Sequence, residues 1–494
     1  MRWGYFVSRY LLSHRFRHLF SLVLATTLID TYERSQFSEM EESQHELRNV
    51  VLKGTAFFCI FLAFFSQSFI EQPVISSAAE RGGISEHAGY KSLAIIYFSF
   101  FIGNFLAVPI VEHTSAKWSM ILGGCCYVLF QAGFLYLNEV FLYVSSAILG
   151  LGAAVIWTAQ GNYITLISSE SNSRRNSGYF WAIFQSSVMA GGIFLLAVFS
   201  FVGKGSISES TVRILYSVFT VVTIVGIGVL ALLRNVRPQK RSEHVCIKDT
   251  MASTFQVMVT KKMILLAFAF SFTGFSCAMN TSVYPAVISF TKRLGPNTNA
   301  LMAAYAICFG IGQIIGGCVF GILGDKTKPL GRENIVVSGM LLQLVVFGAI
   351  FVNFPAVASL KETDEIGLIE PSVVISMVCS LFLGLCDSIW NTQLYAFLVD
   401  NFRTQSTQAF ALFKCYQALC ACAAFFYSSS INLHGHLLVL VLSALLGAAG
   451  FYKCEKIIEK EAKKAQENEE HQELKKISDD KLNKKSNEAV KLDV

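Results

Sequence analysis

Ile156-Trp157-Thr158-Ala159-Gln160 is followed, 233 residues on, by Ile389-Trp390-Asn391-Thr392-Gln393. Both pentapeptides set Trp and Gln three apart, and both lie inside long apolar runs. The echo continues downstream, where Trp181-Ala182-Ile183-Phe184 is answered by Phe410-Ala411-Leu412-Phe413. A Trp-x-x-Gln alone can arise by chance. Position gives this one weight, because each copy sits in the fourth apolar run of its half of the chain.

Working outward, six such runs precede a basic gap and six follow it. The first set covers 51–70, 92–111, 118–137, 140–167, 178–201 and 213–233; the second covers 263–290, 300–323, 333–354, 372–399, 407–430 and 435–452. A helix needs ~20 mostly apolar residues to cross a bilayer. In lipid only a helix or a closed barrel pairs all its backbone groups, and runs of this length read as helices. The 494 residues are 53% hydrophobic and 15% charged, whereas a soluble domain carries roughly 25% charged residues. The expectation is an all-α membrane protein with twelve transmembrane helices in two six-helix bundles, 50–233 and 263–453. Residues 234–262 form a basic linker between them, and 454–494 a charged tail.

Lysine and arginine orient the chain. With both termini cytosolic, the cytosolic loops hold Lys117, Arg174, Arg175, Arg234, Arg237, Lys240, Arg241, Lys248, Lys261, Lys262, Lys326, Lys328, Arg332 and Arg403. The opposite loops hold half as many: Arg81, Lys91, Lys204, Arg213, Lys292, Arg293 and Lys361. The net charge of +6 therefore belongs to membrane topology and does not point to nucleic acid. Most of the thirteen cysteines fall within apolar runs, as Cys125, Cys308, Cys318, Cys379 and Cys422 do. They read as small apolar fillers with no disulfide framework.

Residues 1–49 read as an extension outside the fold. The apolar run 19–29 is too short to span, and Met40 opens a polar stretch that leads straight into the first helix. The extension thus reads as signal-like or as an artefact of start-site choice, and the second reading is favoured. In the tail, Glu455, Glu459 and Lys463 keep helical spacing, so the twelfth helix is expected to continue into solution before fraying.

Between the eighth and ninth runs stands Gly321-Ile322-Leu323-Gly324-Asp325-Lys326, trailed by Gly331-Arg332. This resembles the cytosolic loop motif of the major facilitator superfamily, built of parallel six-helix repeats. Gly321 permits close helix approach, and Asp325 can accept from donors at a neighbouring helix end. The first-half counterpart, Val108 to His113, keeps an acid at Glu112 but lacks the glycine. More specific still is Trp157-Thr-Ala-Gln160-Gly161-Asn162-Tyr-Ile-Thr165, continued by Arg175-Asn176-Ser177-Gly178 and Phe180-Trp181-Ala182. With Asp387-Ser388, Asn391 to Leu394, Phe413-Lys414 and Ala424 to Ser428, the chain resembles the uncoordinated-93-like branch of that superfamily. The likeness covers about 51–452 and implies a transporter fold. It fixes no substrate, since better-known relatives regulate channel complexes or escort receptors.

In such a fold the first, fourth, seventh and tenth helices line a central cavity. Here they carry Gln67 and Glu71; Trp157, Gln160 and Asn162; Ser276, Asn280 and Tyr284; and Asp387, Asn391 and Gln393. Asp387 is the sharpest of these, because a mid-membrane charge costs ~2.5–3.5 kcal/mol on insertion scales. Lys414 on the eleventh helix is its expected partner, roughly 7–8 Å away in depth. The pair is either a substrate or proton site or a static clamp. Trp157 and Gln160 read as packing more readily than as ligand contacts, and Glu71 as a hydrated rim acid. With no nucleophile–base set or metal-ligand spacing, no enzyme, metal or cofactor is expected. Two functions remain: alternating-access transport of an unknown small solute, or a transport-inactive accessory bound to a channel or receptor.

Overall fold

The computed structural model describes residues 43–490 except 69–70, 72–73, 76–77, 80–81, 83, 86–87, 170, 203–208, 237–246, 297, 324–325, 327 and 429. The apolar run 19–29, Met40, Cys246 and Asp325 lie outside the described residues. Among the described residues, twelve helices are long and apolar enough to cross a membrane. In chain order they are α1 (Ser43–Ser68), α2 (Ala88–Thr114), α3 (Ala116–Gly133), α4 (Glu139–Ile167), α5 (Ser173–Val202) and α6 (Glu209–Ala231). After the short α7 (Ile247–Met258) come α8 (Lys261–Phe290), α9 (Thr298–Ile322), α10 (Arg332–Asn353), α11 (Val373–Asn401), α12 (Ser406–Ser428) and α13 (Leu433–Val490). The protein is an all-α membrane protein of two six-helix bundles.

Helix starts follow local chemistry. Asn138 caps α4 by accepting from the Phe141 amide at 3.0 Å, with Glu139 in the first turn. Thr260 caps α8 in the same way, accepting from Met263 N at 3.3 Å. Both satisfy amides that the first helical turn leaves free. Within α8 the ladder widens to a π turn over Met279–Val283, just ahead of Pro285. A proline ring cannot donate and crowds the preceding turn, and a wider turn accommodates it.

Small residues set the distances between helices. A Cβ on Gly178 of α5 would fall on the backbone of Gly321 in α9, and one on Gly317 would lie 2.6 Å from Ala182 N. Further along the same seam, Gly310 meets the backbone of Met189, and Gly192 meets Ala306 and Ile307. This α5–α9 seam joins the two halves. A second contact between halves runs along α2 and α12, where Tyr97 and Phe425 pack with ring centroids 4.8 Å apart.

One expected boundary needs correcting. α1 is already helical at Ser43, so a fold boundary at residue 49 falls inside it. Glu46 and Asn49 are buried because they are used. Glu46 accepts from the Ser169 amide at 3.1 Å and from Asn172 and Asn176. Asn49 accepts from Tyr163 Oη and Arg234 N. Within the linker region, α7 packs against α2 and α12. Thr250 of α7 donates to Glu112 at 3.1 Å, and Gln408 of α12 donates to the other Glu112 oxygen at 2.7 Å and to Ser253 at 3.2 Å. Glu112 thus ties the linker helix to both halves. Glu112→Ala is expected to raise maleimide labelling of a Ser253→Cys reporter by about tenfold through local opening. An unchanged labelling rate would show that apolar packing alone holds α7.

Candidate functional site between the two halves

The helix ends near the linker close first. Arg403 donates to the Ser168 carbonyl at 2.9 Å, and Ser406 Oγ donates to Asn162 Oδ1 at 2.6 Å. A Cβ on Gly161 would fall on the Phe410 ring. Asn162, expected to line the cavity, is thus part of this closure.

One layer further in lie two lysines. Lys53 sits ten residues into α1, about 15 Å along it, and Lys414 eight residues into α12, about 12 Å. Lys53 is fully buried. Its ammonium donates to Gln160 Oε1 at 3.1 Å and to the Gln160 carbonyl at 3.4 Å, 3.9 Å above the Phe180 ring. Gln160 Nε2 donates in turn to Tyr395 Oη at 2.6 Å, crossing from α4 to α11. Lys414, 3% exposed, donates to Gln417 Oε1 at 2.8 Å, and Gln417 donates to Thr273. The Lys414 ammonium lies 4.5 Å from the Trp157 ring centroid and 5.5 Å from that of Tyr395. Trp157 also meets Phe57, Phe61 and Phe184 at 5.7, 5.1 and 5.4 Å.

Asp387 lies deeper, fourteen residues and about 21 Å from the α11 end. Gln313 Nε2 of α9 donates to its Oδ2 at 2.9 Å, and Asn391 Nδ2 does so at 3.2 Å. Gln313 Oε1 accepts from Trp181 Nε1 of α5 at 2.8 Å. A relay Trp181–Gln313–Asp387 therefore spans both halves. The expected Asp387–Lys414 ion pair does not form among the described residues. Asp387 takes amide donors, and Lys414 takes Gln417 and ring faces. Asp387 and Trp157 both keep partial exposure.

The remaining candidates scatter. Gln67 is fully buried with neither side-chain amide atom bonded. Glu71 is only 7% exposed, which corrects its reading as a hydrated rim acid; the chain turns it inward, near Tyr216. Asn280 sits in the π turn, donating to Ser276 Oγ at 3.3 Å while its carbonyl accepts from Tyr305 Oη. Gln393 is buried with its Oε1 unpaired. Of the loop motif, Gly321 packs on Tyr179 and Lys326 is exposed. Arg332 pairs with Asp400 and, at 3.5 Å, with Glu455.

Sequence reasoning missed Lys53, Gln313, Trp181 as a donor, and Tyr395. Lys53 was within reach of it: extending α1 back through the helix-compatible stretch 43–50 places that lysine well inside the bundle.

Two six-helix bundles enclosing charged side chains define a membrane transporter-like protein. The solved structure of the major facilitator superfamily transporter FucP in its outward conformation superposes with a TM-score of 0.63 at 14% identity, covering 82% of this chain and 98% of that one. A family described as "Ion channel regulatory protein UNC-93" matches residues 80–452. UNC93-like protein MFSD11 of Xenopus laevis is 32% identical over 436 residues, covering 84% of this chain and 97% of its own. Protein unc-93 homolog A of Bos taurus is 25% identical, covering 82% and 92%. The chain belongs to the UNC-93 family.

Proposed function

We propose that this chain is a non-enzymatic secondary transporter of a small solute, in which the two halves rock about an enclosed polar core. The relay Trp181–Gln313–Asp387 carries the reading. It places a mid-membrane carboxyl group on one half under the control of an indole N–H on the other. Rocking would break that relay, and Asp387 would then be free to bind a proton or solute. By the charge of its loops, the linker side and both termini face the cytosol.

The test is uptake into proteoliposomes with and without an imposed proton gradient. Asp387→Asn keeps shape and loses the ionisable group. Gradient-driven uptake is expected to fall by about tenfold or more. Unchanged uptake by a monodisperse variant would reduce Asp387 to a static helix clamp.

The family description favours a second reading, an accessory protein that regulates an ion channel; escort of a membrane receptor is the other form such a role would take. Stable co-purification with a multipass partner, together with absence of uptake across a broad solute panel, would support it.

A further inference from the structure

Lys53 and Lys414 are a charge imbalance that the protein does not resolve. Among the described residues neither has a carboxylate within ion-pair distance. Their oxygen acceptors are neutral: Gln160 twice for Lys53, and Gln417 for Lys414. An ammonium carries three donors, so among the described residues one N–H on Lys53 and two on Lys414 lack an oxygen partner. Burying such a group is costly unless it is paired. Ring faces supply part of the compensation, at Phe180 for Lys53 and at Trp157 and Phe413 for Lys414, but a ring takes no N–H the way an oxygen does.

The two ammonium groups belong to one network, linked through Gln160, Tyr395 and Trp157. They come from opposite halves and lie at similar depth. Beside them stands an apolar wall of Trp157, Phe57, Phe61 and Phe184. Among the described residues Asp387 interacts electrostatically with Lys414, and it already holds two amide donors. With all three groups ionised, two lysines against one aspartate leave a single positive charge.

We propose that Lys53 and Lys414 form the binding site for the carboxylate of an organic monoanion whose aromatic or apolar body rests on the Trp157 wall. This rests on the transporter reading and names its substrate class. A monoanion neutralises the surplus charge. A carboxylate offers the oxygens the unfilled N–H groups need, and charge-assisted bonds of this kind are the strong ones. Because one lysine sits on each half, the same anion would hold both halves together, as an occluded state requires.

The purified protein should be titrated with benzoate and phenylacetate, and with benzamide and benzylamine as neutral and cationic matches, following thermal unfolding and Trp fluorescence. Benzoate or phenylacetate is expected to raise the unfolding temperature and the matches are not. Lys53→Met and Lys414→Met should each weaken carboxylate binding by about tenfold or more. Lys53→Arg and Lys414→Arg, which keep the charge, should stay within a few-fold and guard against simple misfolding of the Met variants. Equal stabilisation by benzamide or benzylamine overturns the proposal. So does undiminished binding to monodisperse Met variants, or no shift with either carboxylate up to about 100 mM. Lysine-dependent carboxylate binding without uptake in liposomes would keep the site and sink transport. Asp387-dependent uptake of another solute without carboxylate selectivity would do the reverse.

Discussion

Gly312→Ala is expected to lower the unfolding temperature by about 10 °C or more, and to cut the yield of monodisperse protein sharply. The prediction runs against helix propensity, which favours alanine over glycine by ~1 kcal/mol. A Cβ at this position would fall on the Leu381 carbonyl oxygen of α11 and lie 2.8 Å from Leu385 N. Gly384 faces the Phe309 carbonyl of α9 in the reciprocal way, and Gly316 meets Ser388. Neither neighbour can swing aside, because both are helix backbone. The two helices would have to separate, giving up the close contact that small residues allow in a membrane. Gln313 is the next residue, so the donor to Asp387 would move as well. Gly348→Ala on α10 is the control. Nothing lies within 4 Å of its Cβ, and the substitution should be neutral or slightly stabilising. Equal behaviour of the two variants would mean that α9 and α11 do not touch as described.

Arg332→Met should cost about 3–5 kcal/mol, the scale set by stranding carboxylates in a mostly buried site. Arg332 begins α10 and binds Asp400 at the end of α11 and Glu455 on α13. The three side chains are only 12%, 17% and 11% exposed. Removing the guanidinium takes from each acid the cation it pairs with, in little water. Arg332→Lys should recover only part of the loss, since one ammonium cannot reproduce the planar fork. Adding Asp400→Asn and Glu455→Gln to Arg332→Met should restore most of it. That non-additivity separates electrostatics from simple loss of packing. Thermal unfolding of the full set checks it; a single variant indistinguishable from wild type would show the cluster to be solvated.

Most of the scaffold was legible because lipid imposes length and polarity on every crossing. Runs such as 140–167 and 372–399 match α4 and α11 closely for that reason. The start of α1 was not legible, because 43–50 is polar and pays for burial with tertiary bonds that only the fold reveals, Glu46 to Asn176 among them. The same misplacement hid Lys53. Asp387 stood out as a lone acid in an apolar run. Its true partner, Gln313, did not, since a glutamine on a non-cavity helix carries no local signal. Depth alone matched Asp387 to Lys414; orientation about the helix axes, which spacing cannot supply, sent them to different neighbours. The loop motif marked Arg332 correctly, yet its acids come from Asp400 and Glu455, remote in sequence.

The α5–α9 seam has a mechanical corollary. At Gly178, Gly310 and Gly317 the opposing surface is backbone, Cβ or a single methyl, so at those points helix slides on helix with little side chain between. Such a contact resists being pulled apart but offers little resistance to rolling, much as a smooth bearing does. Motion at those points lifts few rotamers over a ridge, and the barrier to changing shape would instead reside in the polar fastening between Trp181 and Gln313 that crosses the seam.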